Sequence, residues 1–213
     1  MAEKIDRELM KVTTSEFRVS YPHLFKPSQM VRDGKSVGDP AYSIEMIFDK
    51  ESTDMKPLQK ALHMACVAKW GKDKTKWPTP LKNPIRDGDK PAGKKREVRP
   101  EHEGCWVVKA STKAEYGQPH VVDGQRQAIL NAADFYAGCY ARAAIMATAY
   151  DMGEGSTGVK FVLDGVQKIR NGKALSGKQS ADQLFGAIES DDIDEDFASG
   201  EAETDDDDEE SFM

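Results

Sequence analysis

Trp70 and Trp77 stand among Lys69, Lys72, Lys74 and Lys76, a mixture of flat rings and cations suited to one class of ligand. Ammonium groups attract phosphates through counterion release, and an aromatic face stacks on an unpaired base for about 1 to 3 kcal/mol. Together they describe contact with a single nucleic-acid strand. The positive run is longer than this cluster: residues 69–99 hold 11 basic side chains, Lys94, Lys95, Arg96 and Arg99 among them, against four acids. Two plainer readings fit the same run, a solvated loop whose lysines promote solubility and a generic targeting signal at Lys94-Lys95-Arg96.

Further rings lie downstream at Trp106, Tyr116, Tyr136, Tyr140 and Tyr150. Taken singly, such residues belong to a core more often than to a binding platform, because they bury so much apolar area. The spacing of Tyr140, Arg142, Ala144, Met146, Thr148 and Tyr150 has period two. In a strand it places the Arg142 guanidinium on one face with two tyrosines; in a helix that face does not exist.

The charge distribution supports a polyanionic ligand. The chain has 30 Lys and Arg against 37 Asp and Glu, a net charge of −7. Residues 189–213 contain 14 acids and no base, which leaves 30 bases against 23 acids in 1–188. A positive body carries a negative tail. Asp205, Asp206, Asp207, Asp208, Glu209 and Glu210 run unbroken before Ser211, Phe212 and Met213, and Asp192 to Phe197 foreshadows the pattern. This tail is too poor in apolar residues to offset chain entropy, so disorder is expected. Either it is a solubilising terminus, or it occupies the basic groove as a mimic of DNA and presents its acids and Phe212 to partner proteins.

Catalytic signatures are sparse. HExxH, GxxxxGK[ST] and GxSxG are absent, and neither the histidines (His23, His63, His102, His120) nor the cysteines (Cys66, Cys105, Cys139) show metal-ligand spacing. The cysteines read as buried, reduced thiols. Gly153, Gly155 and Gly158 match GxGxxG without a βαβ context and read as turn glycines. Asp123, Asp134, Asp151 and Asp164 are the raw material for a two-metal nuclease, the enzymatic alternative. A third class is an acidic-tailed interaction protein or chaperone for nucleic-acid-binding partners. The favoured reading expects no catalytic residue, metal or cofactor.

The elements that position these residues are mostly strands. Phe17, Val19 and Tyr21 alternate before Pro22 stops the run, and Tyr42, Ile44, Met46 and Phe48 repeat the pattern after a turn-rich stretch. Leu58, Leu62, Cys66 and Trp70 fall four apart, an amphipathic helix over 54–70 behind Ser52, Thr53 or Asp54 as caps. Five prolines and little apolar pattern make 71–104 a long basic arm. Short strands follow at Cys105 to Ala110 and Gln118 to Val122. Asn131 to Tyr150 is rich in alanine, yet the period-two set favours strand. Val159, Phe161 and Leu163 alternate in turn, with Val166 and Ile169 behind them, and 181–188 suits a short helix or docking strand. Strands with one helix and no repeated βα unit predict a mainly β (α+β) antiparallel barrel. The N-terminus lacks an apolar signal core and no 18-residue apolar run occurs, so a soluble intracellular protein is expected, away from membranes.

Three stretches carry a family resemblance: Val19-Ser20-Tyr21-Pro22-His23-Leu24-Phe25-Lys26-Pro27, Gly138-Cys139-Tyr140-Ala141-Arg142-Ala143, and Lys160 through Gly172. With these the chain resembles a family of phage single-stranded DNA-binding proteins, formerly a domain of unknown function, over roughly residues 11–188. The resemblance implies an oligonucleotide-binding (OB) barrel over 1–188, followed by the tail at 189–213. It also implies sequence-independent binding of single-stranded DNA during phage replication or recombination, in the cytoplasm of an infected bacterium. The tail looks like those of other single-strand binders that end in acids and an aromatic, and departs from them by adding Met213. Phage or host replication and recombination proteins are the partners it implies, with the oligomeric state left open.

Overall fold

The computed structural model describes residues 6–32, 34–91, 97–153 and 156–175. In chain order the elements are β1 (Lys11–Thr13), β2 (Phe17–Arg32), β3 (Lys35–Asp49), α1 (Lys56–Trp70), β4 (Ile85–Asp87), β5 (Cys105–Lys113), β6 (His120–Val122), β7 (Tyr140–Asp151) and β8 (Thr157–Arg170). All lie in the first of two units, Met1–Gly177. Among the described residues no helix is long and apolar enough to cross a membrane.

Five strands close on themselves. β2 pairs with β3, β3 with β5, β5 runs parallel to β8, β8 pairs with β7, and β7 returns to β2 at Phe17↔Ala141 and Arg18↔Tyr140. This is the five-stranded OB barrel, mainly β as the alternation foresaw. The short β1, β4 and β6 add to it on β7, β5 and β8 respectively.

Period-two patterning builds the interior. Phe17, Val19, Ile44, Met46, Phe48, Val108, Ala110, Phe161 and Leu163 are buried inside. On β7, Ala141, Ala143, Ile145 and Ala147 are buried too, and the small alanines leave room for the larger rings, with Phe17 and Phe48 5.5 Å apart. One face of 140–151 is thereby sealed against the core, which overrides the helical propensity of its alanines. The helix forms as its spacing predicts: Leu58, Ala61, Leu62, Ala65 and Cys66 join the barrel core. The N-cap is Met55, without a side-chain cap, rather than Ser52, Thr53 or Asp54; Asp54, one residue before it, accepts the Lys56 N–H at 2.9 Å, Pro57 sits in the first turn, and Gly71 (φ 86°) ends the helix.

Two expectations need correction. The first strand does not stop at Pro22; β2 runs on to Arg32 because its register with β3 shifts between Ser20 and His23 and again further along. Tyr21 takes φ 44°, and this bulge turns its ring out of the interior face to which alternation assigned it, leaving it 46% exposed. The bulged stretch takes no partner in the ladder, so the missing N–H of Pro22 loses nothing.

The second concerns the basic arm, much of which is fastened to the barrel. β4 pairs with β5 over Ile85↔Val108 to Asp87↔Trp106, and Trp77, Leu81 and Ile85 pack against the core. The Lys82 N–H donates to Thr157 O at 3.0 Å and the Val159 N–H donates to Lys82 O at 2.9 Å. Gly158 makes that approach possible, since a Cβ there would stand 2.6 Å from the Lys82 carbonyl oxygen. Lys50 pairs with Asp87 and Asp89, and Asp89 accepts the Gly104 N–H at 2.7 Å. Lys94, Lys95 and Arg96 lie outside the described residues, as do the 181–188 segment and the whole acidic tail, including Asp205 to Glu210 and Phe212.

Candidate nucleic-acid interface

The outer faces of β2, β3 and β5 form an open cleft of about 420 Å³. Its floor is made of cross-strand pairs, Ser43↔Ser111 and Glu45↔Lys109. At its side the Arg99 guanidinium lies over the Tyr21 ring, 4.5 Å from the centroid. Glu45, Lys109 and Ser111 also line an adjoining cleft of about 300 Å³, which continues to Tyr150 and Lys160 beside Lys82 and Arg86. The two make one path from Tyr21 to Tyr150 across the face that OB barrels offer to oligonucleotides.

Several surface cations are paired with acids. Away from the path, Lys11 meets Glu8 at 2.7 Å and Arg170 meets Glu16 at 2.6 Å, while Lys113 meets Glu115 at 3.2 Å and, at 2.8 Å, Asp39, which lines the first cleft. Asp39 holds the Lys113 ammonium well above its ordinary pKa, with Glu115 adding to the effect. Among the described residues, Lys82, Arg86, Arg99, Lys109 and Lys160 on the path form no salt bridge with a carboxylate. Their mutual repulsion favours an anionic ligand. His102, 2% exposed, lies 3.4 Å from Arg86 through Nδ1. Burial, and next the Arg86 charge, push its pKa below the ordinary value of 6.5, against the opposing pull of Glu101 and Glu45. The ring is therefore neutral at pH 7 and adds no charge to the path.

The residues singled out from the sequence are dispersed. Arg99 and Tyr150 stand on the path. Tyr140, Arg142 and Tyr150 do share the outward face of β7, but the two tyrosines are ten positions apart on the strand, about 33 Å, so no single contact joins them. The Arg142 Nε donates to Gln167 Oε1 at 2.8 Å, while the Tyr140 ring carries Arg170 at 3.4 Å from its centroid. The Tyr136 hydroxyl donates to Gly172 O at 2.9 Å. Trp106 packs against the core beneath the Lys50 ammonium, 4.9 Å from the ring centroid. The Trp77 Nε1–H donates to Gly71 O at 2.9 Å and the ring lies 5.3 Å from His63. Trp77 thus packs at the foot of α1 and does not line the path, and Lys72, Lys74 and Lys76 are exposed on the turn beside it. Tyr116 is 75% exposed in the turn after β5, also off the path.

Sequence reasoning passed over Tyr21, Glu45, Lys82, Arg86, Lys109 and Lys160. The signal was faint but present for Glu45, which alternation with Ile44 and Met46 turns outward. Two of the four acids considered for a nuclease serve turns instead. Asp123 accepts the N–H groups of Gln125 and Gln127 at 2.9 and 2.8 Å, and Asp151 accepts the Gly153 N–H and the Thr157 hydroxyl at 3.1 and 3.0 Å. Among the described residues no three His, Cys, Asp or Glu side chains gather to hold a metal.

Comparison with known proteins places the chain in context. A family model described as Enterobacter phage Enc34, ssDNA-binding protein, matches residues 10–198. "Putative protein p50" of Acyrthosiphon pisum secondary endosymbiont phage 1 is 29% identical over 177 residues, covering 79% of this chain and 88% of that protein. The single-stranded DNA-binding protein from bacteriophage Enc34, solved in complex with ssDNA, superposes with a TM-score of 0.61 at 24% identity, covering 82% of this chain and 97% of that one. Gp2.5, a single-stranded DNA-binding protein encoded by bacteriophage T7, gives 0.53 at 12% identity, covering 87% and 95%. At these identities the superpositions speak for a shared barrel.

Proposed function

Because the chain belongs to the family of the Enterobacter phage Enc34 ssDNA-binding protein, we propose that it binds and protects single-stranded DNA during phage replication or recombination, in the cytoplasm of the host. The strand follows the path from Tyr21 to Tyr150, with phosphates against Lys82, Arg86, Arg99, Lys109 and Lys160 and bases on the exposed ring of Tyr21 and the half-buried ring of Tyr150. Lys94, Lys95 and Arg96 add positive charge for the phosphates, and no bond is made or broken. The observation that carries this reading is the gathering of cations along the path: Lys82, Arg86, Arg99, Lys109 and Lys160 line it or stand at its side, and none of them forms a salt bridge with a carboxylate among the described residues.

The tail completes the proposal. The body over 1–188 carries the positive charge and 189–213 its 14 acids, so the tail competes with DNA for the same cations, and when displaced recruits replication or recombination proteins through its acids and Phe212. A salt-series titration tests both parts. With five cations engaged, log K should fall against log salt with a slope of about −3.5. Deleting 189–213 should tighten binding at low salt. Equal affinity for single strand and duplex would refute the function, and unchanged affinity of the tailless chain would refute the competition.

A further inference from the structure

The path carries an anomaly for a polyanion groove, which is a carboxylate in its floor. Asp39, the other acid lining the cleft, is neutralised by Lys113 at 2.8 Å. Glu45 lines both clefts from the middle of β3, and its Oε2 is buried without a hydrogen-bond partner among the described residues. Facing a phosphate, such a group repels. It becomes favourable only where the ligand brings N–H or O–H donors to it, and in a DNA strand those donors are on the bases.

We propose that Glu45 gives the groove a bias towards guanine, an inference that rests on the single-strand-binding reading above. The Watson–Crick edge of guanine offers N1–H and N2–H side by side, matching the two oxygens of one carboxylate. Cytosine and adenine offer an exocyclic amine alone. Thymine offers N3–H flanked by two carbonyls that the second carboxylate oxygen repels. Lys109, the cross-strand partner of Glu45, supplies an N–H donor that guanine O6 can accept. The terminal torsion of a glutamate is broad, so the buried oxygen turns to the base when one arrives. Ser43 and Ser111 beside the pair both donate and accept, so they tolerate any neighbouring base. The result is a bias superimposed on general binding, not a sequence code.

The test uses the full chain and oligo-dT carrying isolated guanines, with deoxyinosine at the same positions in a second set. Inosine keeps N1–H, O6 and N7 and loses only the N2 amine. Wild type should bind the guanine oligomer roughly fivefold or more tightly than the inosine one. In Glu45→Gln the ratio should collapse towards one while affinity for every oligomer rises, because a negative charge has left the groove. Equal affinity of wild type for guanine and inosine oligomers overturns the proposal without a variant. A uniform gain in Glu45→Gln with the ratio intact also overturns it, and so does a preference for oligo-rU over oligo-dT that disappears with Glu45, which would assign the carboxylate to the ribose 2′-hydroxyl. If no oligomer binds at all, it is the single-strand-binding reading that fails.

Discussion

Replacing Tyr21 separates what its ring does for DNA from what its backbone does to the fold. At φ 44° a residue with a Cβ is strained by roughly 1 to 2 kcal/mol. The ring is 46% exposed, so about half of the roughly 200 Å² that a tyrosine buries is covered, worth at most about 2.5 kcal/mol. Tyr21→Ala and Tyr21→Gly both forfeit that packing and the seat of Arg99. They differ in the backbone: glycine ordinarily lies about 0.5 to 1 kcal/mol below alanine in stability inside a strand, whereas at this bulge relief of strain reverses the order. Urea unfolding should therefore find Tyr21→Gly more stable than Tyr21→Ala by about 0.5 to 1 kcal/mol. Titration with oligo-dT should find both weakened by about 1 to 3 kcal/mol, some 5- to 150-fold, for one lost stack. Alanine equal to or above glycine would refute the strained bulge, and unaltered DNA affinity in both variants would refute Tyr21 as a platform.

Gly158→Ala drives a Cβ against the Lys82 carbonyl, so it should lower stability by about 1 to 3 kcal/mol and weaken DNA binding by releasing Lys82 and Arg86, read by urea unfolding and a dT titration; a neutral effect on both would mean the arm is not held there. His102 has a folded pKa depressed below 6.5 by burial and then by Arg86, so its contribution is complete above that value and is lost as pH falls through it towards the folded pKa. The Tm should fall between about pH 7.5 and 5.5, a window above the range where carboxylates titrate, and His102→Gln should flatten that fall; an identical slope in the variant would discard the assignment.

The barrel was legible because its signal is local. Alternation at Ile44, Met46 and Phe48 and on β7, and the fourfold spacing of α1, are readable one segment at a time, and the structure keeps them. The site was less so, because its geometry depends on events that break local rules. A single bulge at Tyr21 inverts the parity that put this ring inside. The arm is fastened through a bridge between Lys82 and Gly158, residues far apart in the chain and linked by no pattern. Composition drew attention to 69–99, from which Lys82, Arg86 and Arg99 reach the path, but Trp77 is drawn to the core by its own apolar area, so proximity of rings and lysines along the chain was a poor guide to proximity in space.

Depth within the path bears on why a single strand is the expected ligand. Glu45 and Lys109 sit on the central strands of the sheet, while Lys82 and Arg86 come from the segment laid along β5 and Arg99 from the chain just before it. Groups suited to base edges thus lie on the floor, and most of those suited to phosphates lie beside it. A duplex keeps its Watson–Crick edges paired and presents phosphates outermost, so it meets the flanking cations and leaves the floor unanswered, with the Glu45 charge uncompensated. A strand with free bases satisfies both levels at once. Discrimination against duplex then arises partly from an acid, and Glu45→Gln should narrow the gap between single and double strands even as it strengthens binding to each.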